Sequence, residues 1–211
     1  MKRVLDILSL ALGVICHPLW MPTYGILLFC AAFCRYQSSL PTAYWLIAVI
    51  GTFTLTAFIP LTLILVQIYR GTVKDLYIRD ASERTATYMY SCVCYAFWCY
   101  FLLKVLPCPT VLFAIGLGAT IALVAVLLIN RKWKISAHLA GLGGLIGGVL
   151  AYCYNSHIYP SIGLVCGLLL LALLLMYARL YTNAHTSLQV VAGLLLGLIF
   201  TFVPTLVLDL I

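Results

Sequence analysis

"ARLYTNAHTSLQ", residues 178–189, separates two runs, 160–178 and 189–211, each apolar and close to the ~20 residues that a helix needs to cross a bilayer. In a chain with only 8% charged residues, this segment sets Arg179, His185 and Gln189 at spacings of six and four, at the end of a membrane helix. The whole chain follows the same composition: 65% of its 211 residues are hydrophobic and the mean hydropathy is +1.15, which excludes an ordinary soluble domain.

Four further runs read as spans, 43–69, 86–106, 110–130 and 137–157. The N-terminal segment 1–42 is also apolar, but His17, Pro18 and Pro22 break it into either one kinked crossing or a re-entrant pair. One crossing is the favoured reading. The expected fold is all-α: a polytopic transmembrane bundle of six or seven helices, in one membrane domain over residues 1–211. Lys2 and Arg3 ahead of an apolar run resemble a secretory signal, yet Asp6 interrupts the run and no small-x-small cleavage site follows, so the segment is expected to be retained.

The net charge of +7 comes from basic residues held in short loops, where membrane topology and anionic headgroups account for them. The bilayer is the expected partner and nucleic acid is not. The nine cysteines lie mostly inside apolar runs without a C-x-x-C pair, which reads as small apolar packing rather than a metal or disulfide framework.

Three loops hold most of the polar residues: "RGTVKDLYIRDASERT" (70–85), "NRKWKISAH" (130–138) and the segment quoted first. Two spans separate each from the next, and an even number of crossings returns the chain to the same face. All three must therefore lie on one side, whichever way the N-terminus is resolved. Gly144/Gly148, Gly163/Gly167 and Gly193/Gly197 each form a G-x-x-x-G ridge that lets helices approach closely, so a compact bundle beneath these loops is expected.

The shared face gathers Lys74, Arg79, Arg84, Lys134 and Arg179 with His138, His185, Ser136 and Gln189. Excess cations at a membrane boundary suit an anion, and an arginine fork suits phosphate. Ser136 precedes a helix whose first-turn N–H groups lack partners. His185 and Gln189, four apart, share a helix face, so the amide oxygen can fix the imidazole tautomer and free the other nitrogen to attack. Two histidines beside a cationic clamp are the parts for phosphoryl transfer through a phosphohistidine, with no metal or other cofactor required. His17 and His157 read as interfacial anchors, and Trp133, Tyr77, Tyr88, Tyr90 and Tyr181 as belt residues.

With these residues in hand, residues 70–200 resemble the type 2 phosphatidic acid phosphatase superfamily. Its serine-arginine, five residues, histidine, three residues, aspartate motif is similar to Ala178-Arg179, five residues, His185, three residues, Gln189. Its proline-serine-glycine-histidine motif is similar to Ile135-Ser136-Ala137-His138. The resemblance implies His185 as nucleophile, His138 as the acid for the leaving group, and Arg179 with Ser136 as phosphate ligands. Its first motif, lysine then seven residues then arginine-proline, has only a poor counterpart here, leaving Lys74, Arg79 and Arg84 as candidate clamps, with Lys134 beside them. Gln189 replaces the family aspartate, so it can orient His185 but cannot neutralise it.

The expected substrate is a lipid phosphomonoester or diphosphate in a bacterial inner membrane. A lipid-phosphate binding protein without turnover, and a small transporter, are the alternatives. One N-terminal crossing would put ten of the twelve Lys and Arg residues on the reactive side, which the positive-inside rule makes cytoplasmic. A re-entrant start reverses that balance once the candidate ligands are set aside, so sidedness stays open at this stage.

Overall fold

The computed structural model describes residues 2–36, 40–74, 81–106 and 108–208. Every regular element among them is helical, the solution that lets each backbone N–H and C=O find a partner without water. Seven segments are long and apolar enough to cross a membrane: Lys2–Ala31, Thr42–Tyr69, Glu83–Val105, Thr110–Asn130, Ala137–Asn155, Ile162–Tyr181 and Ser187–Leu208. The chain is an integral, multi-pass membrane protein.

The N-terminal stretch consists of α1 (Lys2–Ile15), a 3-10 turn (Pro18–Trp20) and α2 (Met21–Tyr36). Pro18 disfavours helical backbone at the residue before it, and His17 is extended with φ −63° and ψ 137°. The carbonyls left at the end of α1 are taken up by side chains: the Trp20 indole donates to Val14 O and the Tyr24 hydroxyl to Ile15 O, both at 3.0 Å. The Tyr181 hydroxyl donates to Asp6 at 3.0 Å, at the polar-loop end of the bundle. Phe29 meets Tyr152 at a tilt, ring centroids 4.9 Å apart, near the opposite end. The stretch therefore runs through the bundle once, with a kink, and its N-terminus shares a face with the three polar loops.

Helices α3 (Thr42–Phe53) and α4 (Ile59–Tyr69) form one span, joined by a π turn at Thr54–Phe58. The turn lies just ahead of Pro60, whose missing N–H and bulky ring disturb the preceding turn of an α-helix. Next come α5 (Ala81–Tyr100), closed by a π turn at Phe101–Val105, then α6 (Thr110–Asn130), α7 (Ala137–Asn155), α8 (Ile162–Tyr181) and α9 (Ser187–Leu208).

The centre of the bundle is the parallel pair α7 and α9. They are tied at one end by Ser136 N–H donating to Gln189 O at 3.3 Å, and at the other by Asn155 Nδ2 donating to Thr205 O at 3.2 Å. Glycines permit the approach. A Cβ on Gly193 would lie 2.5 Å from Ser136 O, one on Gly147 2.5 Å from Leu198 O, and Gly197 rests on the Ala140 carbonyl. Lipid tails are as apolar as leucine, so such close backbone packing replaces the hydrophobic drive of a soluble core.

Gly144 and Gly148 also meet Thr201 of α9. The Gly163/Gly167 ridge does not behave as its spacing suggests. Nothing lies within 4 Å of a Cβ at either position, because α8 turns this face outward.

Candidate functional site

Helix α8 ends in a left-handed turn. Asn183 has φ 52°, Asn183 N–H donates to Leu180 O at 3.0 Å, and Ala184 N–H donates to Arg179 O at 3.1 Å. These two bonds satisfy carbonyls of the last turn and reverse the chain within a few residues. The six-residue spacing is the length of this device: Arg179 closes α8 and His185 stands just before α9.

Thr186 then caps α9, since Val190 N–H donates to Thr186 O at 3.2 Å and Thr186 N–H donates to Gln189 Oε1 at 3.1 Å, the return half of a capping box. The backbone donor identifies Oε1 as the oxygen. His185 Nδ1 lies 3.3 Å from this same oxygen and 3.2 Å from Lys134 O. Two acceptors at Nδ1 require a proton there, so Nε2 keeps its lone pair. Burial and the Arg179 charge pull the His185 pKa down from 6.5 to about 4, so the imidazole is neutral at physiological pH.

His138 sits in the first turn of α7. Its Nε2 is 3.1 Å from Gly13 O, which fixes the proton on Nε2 and leaves Nδ1 open. The partner is unexpected, because it comes from the N-terminal segment outside the 70–200 core. The same segment brings in His17, whose ring meets that of His138 edge-on at 5.3 Å between centroids. His17 is thus not an interfacial anchor. The sequence carried one signal for this: His17 lies inside the span Lys2–Ala31 rather than at its end, and an ionisable group within a span marks function by default.

A cavity of about 1300 Å³ joins these groups, running from Lys134 and His185 at the polar end to Tyr159 and Ser161 at the other. His17, His138, Arg84 and Arg179 all line it. His185 and Tyr88 line it as well, and a Cβ on Gly13, whose carbonyl bonds His138, would stand 3.7 Å from an Arg179 guanidinium nitrogen. Arg179 Nε is buried, and the guanidinium makes no hydrogen bond or ion pair among the described residues. Arg84, 7% exposed, and Tyr88 both line the cavity, so Tyr88 belongs to the cavity wall rather than the expected belt.

Two candidate ligands are placed elsewhere. Lys74 is exposed, its backbone N–H held by the Glu83 carboxylate at 3.5 Å, and it does not line the cavity. Ser136 is fully buried at the start of α7, its Oγ without a partner, and the cavity wall is built without it. Arg79, and Tyr77 of the expected belt, lie outside the described residues. Among the described cations of 70–85, Arg84 is the one that lines the cavity.

Compared with protein-family models, curated proteins and solved structures, the chain matches none.

Buried charges in proteins are ordinarily paired. Arg179, facing a cavity that Arg84 and three imidazoles also line, can pair with a multiply charged oxyanion, and the lone pair on His185 Nε2 can attack one.

Proposed function

We propose that the protein is a membrane phosphatase that removes a phosphoryl group from a lipid phosphomonoester or diphosphate through a phosphohistidine. The observation that carries this reading is Arg179: a half-buried arginine whose buried Nε has no partner among the described residues, in a cavity beside Arg84 and a histidine whose Nε2 is free. The resemblance to the type 2 phosphatidic acid phosphatases supports the roles of His185, His138 and Arg179, though not its implied role for Ser136, which does not line the cavity.

In the reaction, Arg179 and Arg84 hold the non-bridging oxygens of the phosphate. The His185 Nε2 lone pair attacks phosphorus while the bond to the lipid oxygen breaks. His138, charged by proton uptake next to the bound dianion, gives its Nδ1 proton to that oxygen and keeps Nε2–H on Gly13 O. Water, deprotonated by His138, then attacks the phosphohistidine, releasing inorganic phosphate and restoring both rings. The apolar remainder of the cavity suits the lipid tail.

With the N-terminus on the polar-loop face, ten of the twelve Lys and Arg residues lie on that side. The positive-inside rule then makes the site cytoplasmic, and the substrate a lipid of the inner leaflet.

The test is phosphate release by purified protein from a panel of phosphatidic acid, phosphatidylglycerol phosphate and polyprenyl diphosphate, with acid-labile phosphoprotein trapped during turnover. His185→Ala should abolish both. Equal release by the two proteins defeats the proposal. One observation favours a second reading, a lipid-phosphate binder without turnover: the groups at His185 Nδ1 are neutral oxygens rather than a carboxylate. Orthovanadate binding without phosphate release would select it.

A further inference from the structure

We propose that His17 is a third phosphate-contacting imidazole, donating from Nε2 to an oxygen of the anion held by Arg179. This rests on the phosphate reading of the site and adds a ligand that lies outside the motifs.

The local structure around His17 is a built one. Helix α1 stops before Pro18, and Trp20 and Tyr24 bond the carbonyls that the break exposes. The Leu19 carbonyl lies 3.5 Å from the Thr56 hydroxyl. Gly141 lets the turn lie against α7, since a Cβ there would be 3.1 Å from Pro18 Cα. These contacts hold a kink that in lipid would otherwise leave polar backbone unsatisfied.

The kink delivers one side chain to the cavity. His17 Nδ1 accepts from Leu19 N–H at 3.4 Å, so in the neutral ring the proton is on Nε2. That N–H has no protein acceptor among the described residues, and the ring lines the cavity that Arg179 also lines, edge-on to His138. A donor without an acceptor, facing an anion site, is a ligand for the anion. His138, by contrast, has its Nε2 committed to Gly13 O and offers only Nδ1. The two rings therefore divide the work: His17 holds a phosphate oxygen, and His138 serves the leaving group.

The two functions of the His17 ring can be separated by amide substitution. Asparagine places its oxygen near the Nδ1 position and can keep the bond from Leu19. Glutamine places its NH₂ near the Nε2 position and can keep the donor. Orthovanadate affinity is measured by thermal shift in nanodiscs, together with kcat and KM for a lipid phosphate.

His17→Asn is expected to keep the wild-type melting temperature but bind orthovanadate about ten- to a hundredfold more weakly, with KM affected more than kcat. His17→Gln is expected to recover most of that affinity. Wild-type affinity in His17→Asn overturns the inference. So does an equal loss in both variants with a lowered melting temperature, which would leave His17 a turn residue only.

Should neither variant fold, ¹⁵N-histidine-labelled wild type decides: orthovanadate must shift the His17 Nε2–H resonance, and an unmoved signal overturns the assignment. Binding that survives His17→Asn but not Arg179→Ala sinks this inference alone. Wild-type protein that binds no orthovanadate sinks it along with the phosphate reading.

Discussion

Gly193→Ala puts a methyl group where α9 meets the start of α7. Its Cβ would stand 2.5 Å from Ser136 O and 3.4 Å from both Ala140 N and Leu139 Cβ. Ordinary contact requires about 3.5 Å, so the helices must part by roughly 1 Å, and the closest obstacle is backbone rather than a side chain that can swing aside. Overpacking of this kind costs about 1–3 kcal/mol. The same shift separates the start of α7, with His138, from the start of α9, beside His185, and a 1 Å misplacement of reacting groups can cost about a hundredfold in rate.

Gly163→Ala is the matched control: it belongs to the same G-x-x-x-G pattern, yet nothing lies within 4 Å of the added methyl. There alanine should be neutral or stabilising by about 0.5–1 kcal/mol, because glycine loses more backbone freedom in a helix. Unfolding both variants in one detergent with an SDS titration, and measuring orthovanadate affinity, gives the comparison. If the two unfold together, or Gly193→Ala matches wild type in stability and binding, the packing argument is wrong.

The remaining predictions concern the site. His185 has a folded pKa of about 4 against 6.5 unfolded, so between these values the unfolded chain binds the extra proton. Stability should therefore fall as pH drops from 6.5 towards 4 and level off below, and the acid limb of kcat/KM should lie near pH 4. A limb at 6.5 would mean the imidazole is not shielded as described. Arg179→Lys keeps the charge but loses the two-pronged donor, so orthovanadate should bind roughly tenfold or more weakly by titration; unchanged affinity would remove Arg179 from the anion site. Gln189→Asp supplies the negative charge that develops opposite the imidazolium, and single-turnover phosphate release should rise about tenfold or more; a fall would show that the neutral amide is what the site requires.

Much of this architecture follows from the order of residues. Seven apolar runs need a membrane, and the parity of crossings alone brings residues 70–85, 130–138 and 178–189 to one face. The spacing of Arg179, His185 and Gln189 is local information too, since it corresponds to a helix end, a left-handed turn and a capped helix start. Other properties were not legible. Gly163/Gly167 and Gly193/Gly197 have the same spacing, but only the second pair packs against a helix, because contact depends on which face a neighbour occupies. Ser136 sits in the expected motif, yet its hydroxyl is buried rather than lining the cavity.

The N-terminal segment is where tertiary structure decided most. Sequence showed that His17, Pro18 and Pro22 break a helix, and could not say what the break faces. In the fold it lies on Gly141, gives its Gly13 carbonyl to His138 and sets His17 edge-on to His138 in the wall of the cavity that Arg179 lines. Periodicity and hydropathy act along the chain and so determine which segments cross the membrane. The ring of a histidine 121 residues from its partner is positioned by packing, which no local pattern encodes.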